Sequence, residues 1–427
     1  MIISRNRLAG ARMNQLIRRP VSLGQLYLDS FRRGRGFRMC WTLALFLIGG
    51  LLFAGSATSA SALDHVTVTR DGKSRVVSGQ VLAEAQDGGL LVQDRAGVLW
   101  PVQPQELADR TRDDTPFEYL SSAELQSQLL TQLPSGFRVH TTARYLICYN
   151  TSPVYAQWCG ALYERLFRAF YNYWEHRGLE LKLPPLPLVA LVFADQASYE
   201  NYARTELGDA TRSVVGFYSL QTNRVTMHDL TGNRGLQGAD RRLTSTAQIN
   251  SLLAQPGAER MVATIVHEAT HQIAFNCGLH ARYADIPLWV SEGLAVFFET
   301  PDLRSSQGWR SIGGVQAGRL AQFRRYRTAR PQDSLRTLVA DDSRFRQTST
   351  APDAYAEAWA LHHFLISTRL KDYVRYQQQL SAKPGQVFDS PEERVAAFRE
   401  AFGDDLASLD AEFLRYVGSV LETERPR

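Results

Sequence analysis

His267-Glu268-Ala269-Thr270-His271 sets two histidines four positions apart, with a glutamate directly after the first. On a helix, positions i and i+4 share a face, so both imidazoles can grip one metal ion. Glu268 points about 100° away from His267. It misses the metal and can reach a metal-bound water, the place of the general base in a zinc hydrolase. The surroundings suit a buried helix of about five turns: residues 261–266 are a mostly apolar lead-in, Pro256 and Gly257 mark a start and Gly278 a stop. Nine histidines in 427 residues make this spacing an uncommon accident. The bland alternative is a pair of histidines that binds nothing.

A catalytic zinc takes three protein ligands and leaves one position open. In the pattern HExxHxxGxxH the glycine would fall at Ala274 and the third histidine at Cys277, and the chain has neither. Cys277 and His280 stay as alternative ligands. The favoured third ligand is Glu292, 21 residues after His271 in Trp289-Val290-Ser291-Glu292-Gly293-Leu294-Ala295. Pro287 can open a helix there and Pro301 close it, and residues 288–300 are almost wholly apolar apart from Glu292 and Glu299. A carboxylate in such surroundings is costly unless it is paired or bound to metal. The expected cofactor is one zinc ion held by His267, His271 and Glu292.

The HExxH run with the tryptophan-x-x-glutamate-glycine segment resembles the gluzincin clan of thermolysin-like proteases and aminopeptidases. It is similar also to a family of exported bacterial peptidase-like proteins of unknown function. That resemblance runs from about Phe137 to Leu365, taking in Val215-Gly216-Phe217-Tyr218 and Tyr355-Ala356-Glu357-Ala358-Trp359. It implies an α+β, zincin-like catalytic domain: a mixed sheet, the HExxH helix, a glutamate helix and a helical C-terminal subdomain. It also implies that 215–218 is an edge strand pairing with extended substrate. Tyr355 is implied as the oxyanion-stabilising residue, with His362 and His363 as rivals. One departure stands out: the clan's aspartate, four residues after the ligand glutamate, is Val296 here. Either another group, with Glu299 and Asp285 as candidates, orients a histidine ligand, or the ligand field is less rigid than in that clan.

The elements needed to hold this site can be read in outline. Strands are expected at 137–149, 186–193, 214–220 and 224–229. Between them lie an amphipathic helix after Pro153, striped by Tyr155, Trp158, Leu162, Leu166, Ala169 and Tyr173, and a helix capped by Asp195. His228, alone on a strand, reads as structural. Residues 231–257 read as a polar loop before the metal helix, and helices are expected at 353–368, 391–402 and 404–421. Five segments follow: a leader at 1–62, a small β domain at 63–103, a polar, partly helical linker at 104–134, the metal-site domain at 135–300 and a helical subdomain at 301–427.

Residues 1–62 hold nine arginines and one acidic residue, a contribution of +8 to a chain total of +5, which leaves the remainder at −3. The alkaline balance thus belongs to the leader, and no nucleic-acid partner follows from it. Arg32, Arg33, Arg35 and Arg38 precede an apolar core, and Ala60-Ser61-Ala62 offers a cleavage site before Leu63. Left uncut, residues 39–63 would serve as a membrane tether. Either outcome places the body outside the cytoplasm. Cys148, Cys159 and Cys277 allow at most one bridge, Cys148 to Cys159, or three reduced thiols. The expected activity is a zinc-dependent peptidase acting on a peptide or protein substrate. The alternatives are a non-catalytic envelope binding protein on the same scaffold and a cell-wall peptide amidase.

Overall fold

A computed structural model describes residues 62–85, 87–232, 243–300, 303, 309 and 312–423. Mixed α+β structure, with two sheets and thirteen helices among the described residues, divides into two compact units, 62–119 and 120–423.

The first unit is an antiparallel sheet in the order β4-β3-β2-β1-β5. Its strands are β1 (Ala62–Arg70), β2 (Lys73–Glu84), β3 (Leu90–Asp94), β4 (Leu99–Val102) and β5 (Leu107–Pro116). Asp71 and Gly72 both take positive φ, at 52° and 72°, which makes the two-residue turn from β1 to β2. One face gathers Val66, Val68, Val77, Leu90, Val92 and Val102. β5 lies inside the stretch read from the sequence as a linker. Nearly all of it is exposed, so it carries no alternation to betray it. Arg110 and Arg112 instead fasten it to the buried Asp64 of β1, at 3.0 and 3.2 Å. A charged edge strand of this kind also resists pairing with other chains.

The second unit holds a sheet in the order β6-β7-β8-β10-β9, made of β6 (Arg138–Thr141), β7 (Tyr145–Tyr149), β8 (Leu188–Phe193), β9 (Gly216–Tyr218) and β10 (Arg224–His228). β7, β8 and β10 run parallel, while β6 and β9 are antiparallel edges. Every residue of β7 and β8 is buried, as expected for parallel strands covered on both faces. The expected single strand at 137–149 is thus a hairpin. Its turn is held by Thr142, whose N–H and hydroxyl both donate to the Tyr145 carbonyl, and by Glu164, which accepts from the Thr142 hydroxyl and the Arg144 N–H.

Thirteen helices accompany this sheet. α1 (Ser122–Gln132) starts at a Ser121–Glu124 capping box. α2 (Pro153–Glu175) is capped by Ser152 and α3 (Gln196–Leu207) by Asp195. α4 (Thr246–Leu253) precedes α5 (Pro256–Ala274), which carries the HExxH run, and α6 (Leu288–Phe298), which carries Glu292. The C-terminal part is helical: α7 (Ala317–Tyr326), α8 (Ser334–Ala340), α9 (Ser343–Arg346), α10 (Ala351–Thr368), α11 (Leu370–Ser381), α12 (Pro391–Phe402) and α13 (Leu406–Thr423). One continuous apolar core runs from the sheet and α2 through α5, α6 and α10.

No helix among the described residues is long and apolar enough to cross a membrane. The stretch expected as cleaved leader or tether lies almost wholly outside the described residues. Cys148, Cys159 and Cys277 are buried free thiols, so the Cys148–Cys159 bridge does not form. Burial pushes the Cys148 and Cys277 thiols up to about 12, which leaves them unreactive.

Candidate metal centre

α5 presents His267 and His271 on one face, and α6 brings Glu292 against them. His267 Nε2 lies 3.1 Å from His271 Nε2 and 3.0 Å from Glu292 Oε2, and His271 Nε2 lies 3.6 Å from Glu292 Oε1. The three ligand atoms fall within 4.8 Å of one another. Ligands about 2.1 Å from a tetrahedral centre sit roughly 3.4 Å apart, so these spacings match the edges of a zinc-sized tetrahedron. Two nitrogens and a carboxylate oxygen are also a donor set that zinc accepts. The group is buried, with His267 at 5%, His271 at 7% and Glu292 at 2% exposure.

Glu299 lies one residue beyond α6 and closes on the far side of His267. The His267 Nδ1–H donates to Glu299 Oε1 at 2.5 Å, which turns Nε2 toward Glu292 and His271. Glu299 is itself braced by the Gln316 amide, at 2.9 Å to its carbonyl and 3.3 Å to its carboxylate, and by the Arg319 guanidinium at 3.8 Å. Of the two expected alternatives, Glu299 takes the orienting place. Asp285 is committed elsewhere, accepting from Arg394 at 2.5 and 3.0 Å.

Charge follows this geometry. Burial opposes the charged form of His267, but Glu292 and Glu299 outweigh it and raise the imidazole to about 10. Burial alone would lift Glu292, yet His271 and His267 hold it well below the ordinary carboxylate range. Glu299 is likewise lowered, with Arg319 and His267 overcoming burial. Glu268 moves the other way: burial raises it, against the opposing pull of the two histidines.

Glu268 is 4% exposed and turns toward the edge strand, where the Tyr218 N–H donates to its Oε2 at 2.9 Å. The register explains why that N–H is available. Val215, Phe217 and Ser219 face β10, so Gly216 and Tyr218 direct their backbone groups to the open edge. A side chain at Gly216 would meet Met227 Cβ and the Thr226 carbonyl at 3.0 Å, so glycine lets β9 lie close on β10.

The other expected site residues are not members of this three-residue group. Tyr355 is buried on α10, edge-on to Phe345 with the Arg319 guanidinium 5.2 Å from its ring centre, so it adjoins the brace of Glu299. His362 Nε2 meets the Tyr373 hydroxyl at 2.5 Å, and His363 spends both nitrogens, on the Gly313 carbonyl and the Tyr416 hydroxyl. Cys277 and His280 are buried outside the three-residue cluster. His228 packs on Tyr199 with its Nδ1 3.2 Å from the Asp229 carbonyl.

Gln272, directly after the second histidine, was missed. It is fully buried, and its amide donates to the carbonyls of Val189 at 2.9 Å and Asn223 at 2.8 Å. That fastens α5 to β8 and to the turn before β10. A polar residue on the buried face of α5 was the available signal. Arg319 and Gln316 had none, since their role depends on a long-range contact.

A protein family of unknown function, DUF1570, matches residues 261–386, a span that includes His267, His271, Glu292, Glu299 and Tyr355. No curated protein matches the chain.

Proposed function

We propose that this chain is an exported zinc peptidase of the gluzincin type. The observation that carries the reading is the convergence of His267, His271 and Glu292 ligand atoms, with Glu268 on the same helix reaching the Tyr218 N–H of the edge strand. Zinc, when bound, supplies a Lewis acid for the scissile carbonyl and acidifies the attacking water. Glu268 takes a proton from that water as the water oxygen bonds to the carbonyl carbon. It passes the proton to the amide nitrogen, and the C–N bond breaks to give a carboxylic acid and an amine. The burial that raises Glu268 supports this role, because a base must also return its proton near neutral pH. The outward Gly216 N–H and carbonyl and the Tyr218 carbonyl suit an extended peptide backbone, with tolerance for varied side chains. Tyr355 is assigned the oxyanion on the resemblance, with its ring beside Arg319.

The test uses the full chain. It should purify with close to one zinc, and alanine at His267, His271 or Glu292 should remove most of it. Glu268→Gln should keep the metal and the melting temperature while losing about 10² to 10⁴ in turnover on any peptide found by library digestion. A metal-loaded wild type that cleaves nothing across a diverse library, yet captures a partner as well as Glu268→Gln does, would move the assignment to a binding scaffold.

A further inference from the structure

α7 and α13 meet at Phe323 and Phe413, whose rings lie 5.5 Å apart. Next to this contact opens a crevice of about 440 Å³ lined by Arg324, Arg327, Arg415, Leu414, Leu421 and Gly418 among others, with no carboxylate in the lining. Nearby arginines find acids: Arg330 closes on Asp410 and Glu357, Arg344 on Glu357, and Arg369 on Glu412. Arg324, Arg327 and Arg415 have no carboxylate partner among the described residues. The negative end of the α7 dipole accounts for Arg324 in its last turn and Arg327 at its C-cap. It does not account for Arg415, which lines the same crevice from α13. The Arg327 guanidinium lies against α13 at Gly418, with Nη1 3.5 Å from where a Cβ would stand. Three like charges gathered on a body of net charge −3 are stabilised by an anion between them.

We propose that this crevice binds a phosphate group attached to an apolar portion. Guanidinium forks match phosphate oxygens in pairs. Leu414 and Leu421, seven residues apart on one face of α13, supply the apolar wall. The phosphate comes from an anionic lipid headgroup or from a soluble phosphate ester.

The test compares the full chain with Arg324→Gln/Arg327→Gln/Arg415→Gln. One arm is co-sedimentation with phosphatidylcholine vesicles, with and without phosphatidylglycerol; the other is calorimetric titration with hexyl phosphate. Binding in the first arm assigns a lipid headgroup, and binding in the second alone assigns a soluble ester. In either case each arginine removed should weaken binding about tenfold. Gly418→Glu, which places a carboxylate among the three arginines, should abolish it without unfolding the chain. Arg325→Gln/Arg336→Gln/Arg399→Gln removes the same charge from exposed positions outside the crevice and should leave binding intact. No binding in either arm overturns the proposal, as does equal loss in the two triple variants, since diffuse surface charge would then explain it.

Discussion

His280 tests how far burial governs this molecule. It is 2% exposed, and neither ring nitrogen closes a hydrogen bond among the described residues, although Gln377 lies beside it. Burial, reinforced by the charge of His271, lowers its imidazole from 6.5 to about 3. Because the folded value lies below the unfolded one, the stability it contributes is complete above about pH 6.5 and drains as pH falls toward 3. Between pH 7 and pH 5 the unfolded chain binds a proton that the folded chain refuses, worth about 2 kcal/mol. His280→Leu removes both the titration and the unpaired polar atoms, whose burial costs about 1–3 kcal/mol. At pH 7 the variant should therefore be at least as stable as wild type. Its loss on going to pH 5 should be smaller by about 2 kcal/mol. Urea unfolding of chelator-stripped protein at the two pH values, followed by tryptophan fluorescence, reads both quantities. A variant that is less stable at pH 7, or that keeps the wild-type acid loss, would refute the reasoning. One that folds but no longer takes up zinc would return His280 to the ligand set.

Glu299→Gln replaces a charged acceptor by a neutral one at His267 Nδ1, so zinc affinity in chelator competition should fall about 10-fold or more; an unchanged affinity would mean that His267 is oriented by other contacts. Gly293→Ala would place a Cβ 2.9 Å from His362 Nδ1 and 3.0 Å from the Ala358 carbonyl. Forcing α6 and α10 apart should cost about 1–3 kcal/mol in urea unfolding, and a neutral variant would contradict the close packing. Protein recovered from an exporting host should begin at Leu63 by intact mass. Recovery with residues 1–62 attached, in the membrane fraction, would show that the leader is retained as a tether.

The part of the site that depends on helix geometry was legible. His267 and His271 could be paired because four residues make one turn, and Glu292 because an acid amid Leu288, Trp289, Val290 and Leu294 needs a partner. Glu299 could be narrowed to one of two acids, since choosing it over Asp285 requires knowing where Arg394 lies. Gln316, Arg319 and the Tyr218 N–H stayed hidden: two reach Glu299 across a partly polar stretch, and the third is a backbone group whose direction is set by strand register. β5 was hidden for the opposite reason. Its Asp, Arg and Thr residues are the composition of a solvated loop, and its strand identity comes from pairing with β1. His362 and His363 looked like rivals for chemistry because an exposed role and a packing role draw on the same ring.

α6 poses the hardest positioning problem in the molecule. Every residue from Leu288 to Phe298 is buried, so hydrophobic patterning does not dictate which way the helix is rotated. A slip of one position would carry Glu292 about 100° away from the histidines. Polar and steric contacts supply the missing direction. At the start, Asp342 accepts from the Leu288 N–H, and Arg394 holds Asp342 and Asp285 together in a buried ionic cluster. In the middle, Gly293 lets α10 lie close enough to touch, with His362 and Ala358 leaving no room for a side chain there. Just past the end, Glu299 reaches back to the same His267 that Glu292 approaches from the other side. Isolated buried ion pairs contribute little net stability after desolvation, so the Arg394 cluster is better understood as fixing register than as strengthening the fold. The three contacts act along one helix, and together they define the single rotation in which Glu292 and, just past its end, Glu299 bracket one imidazole.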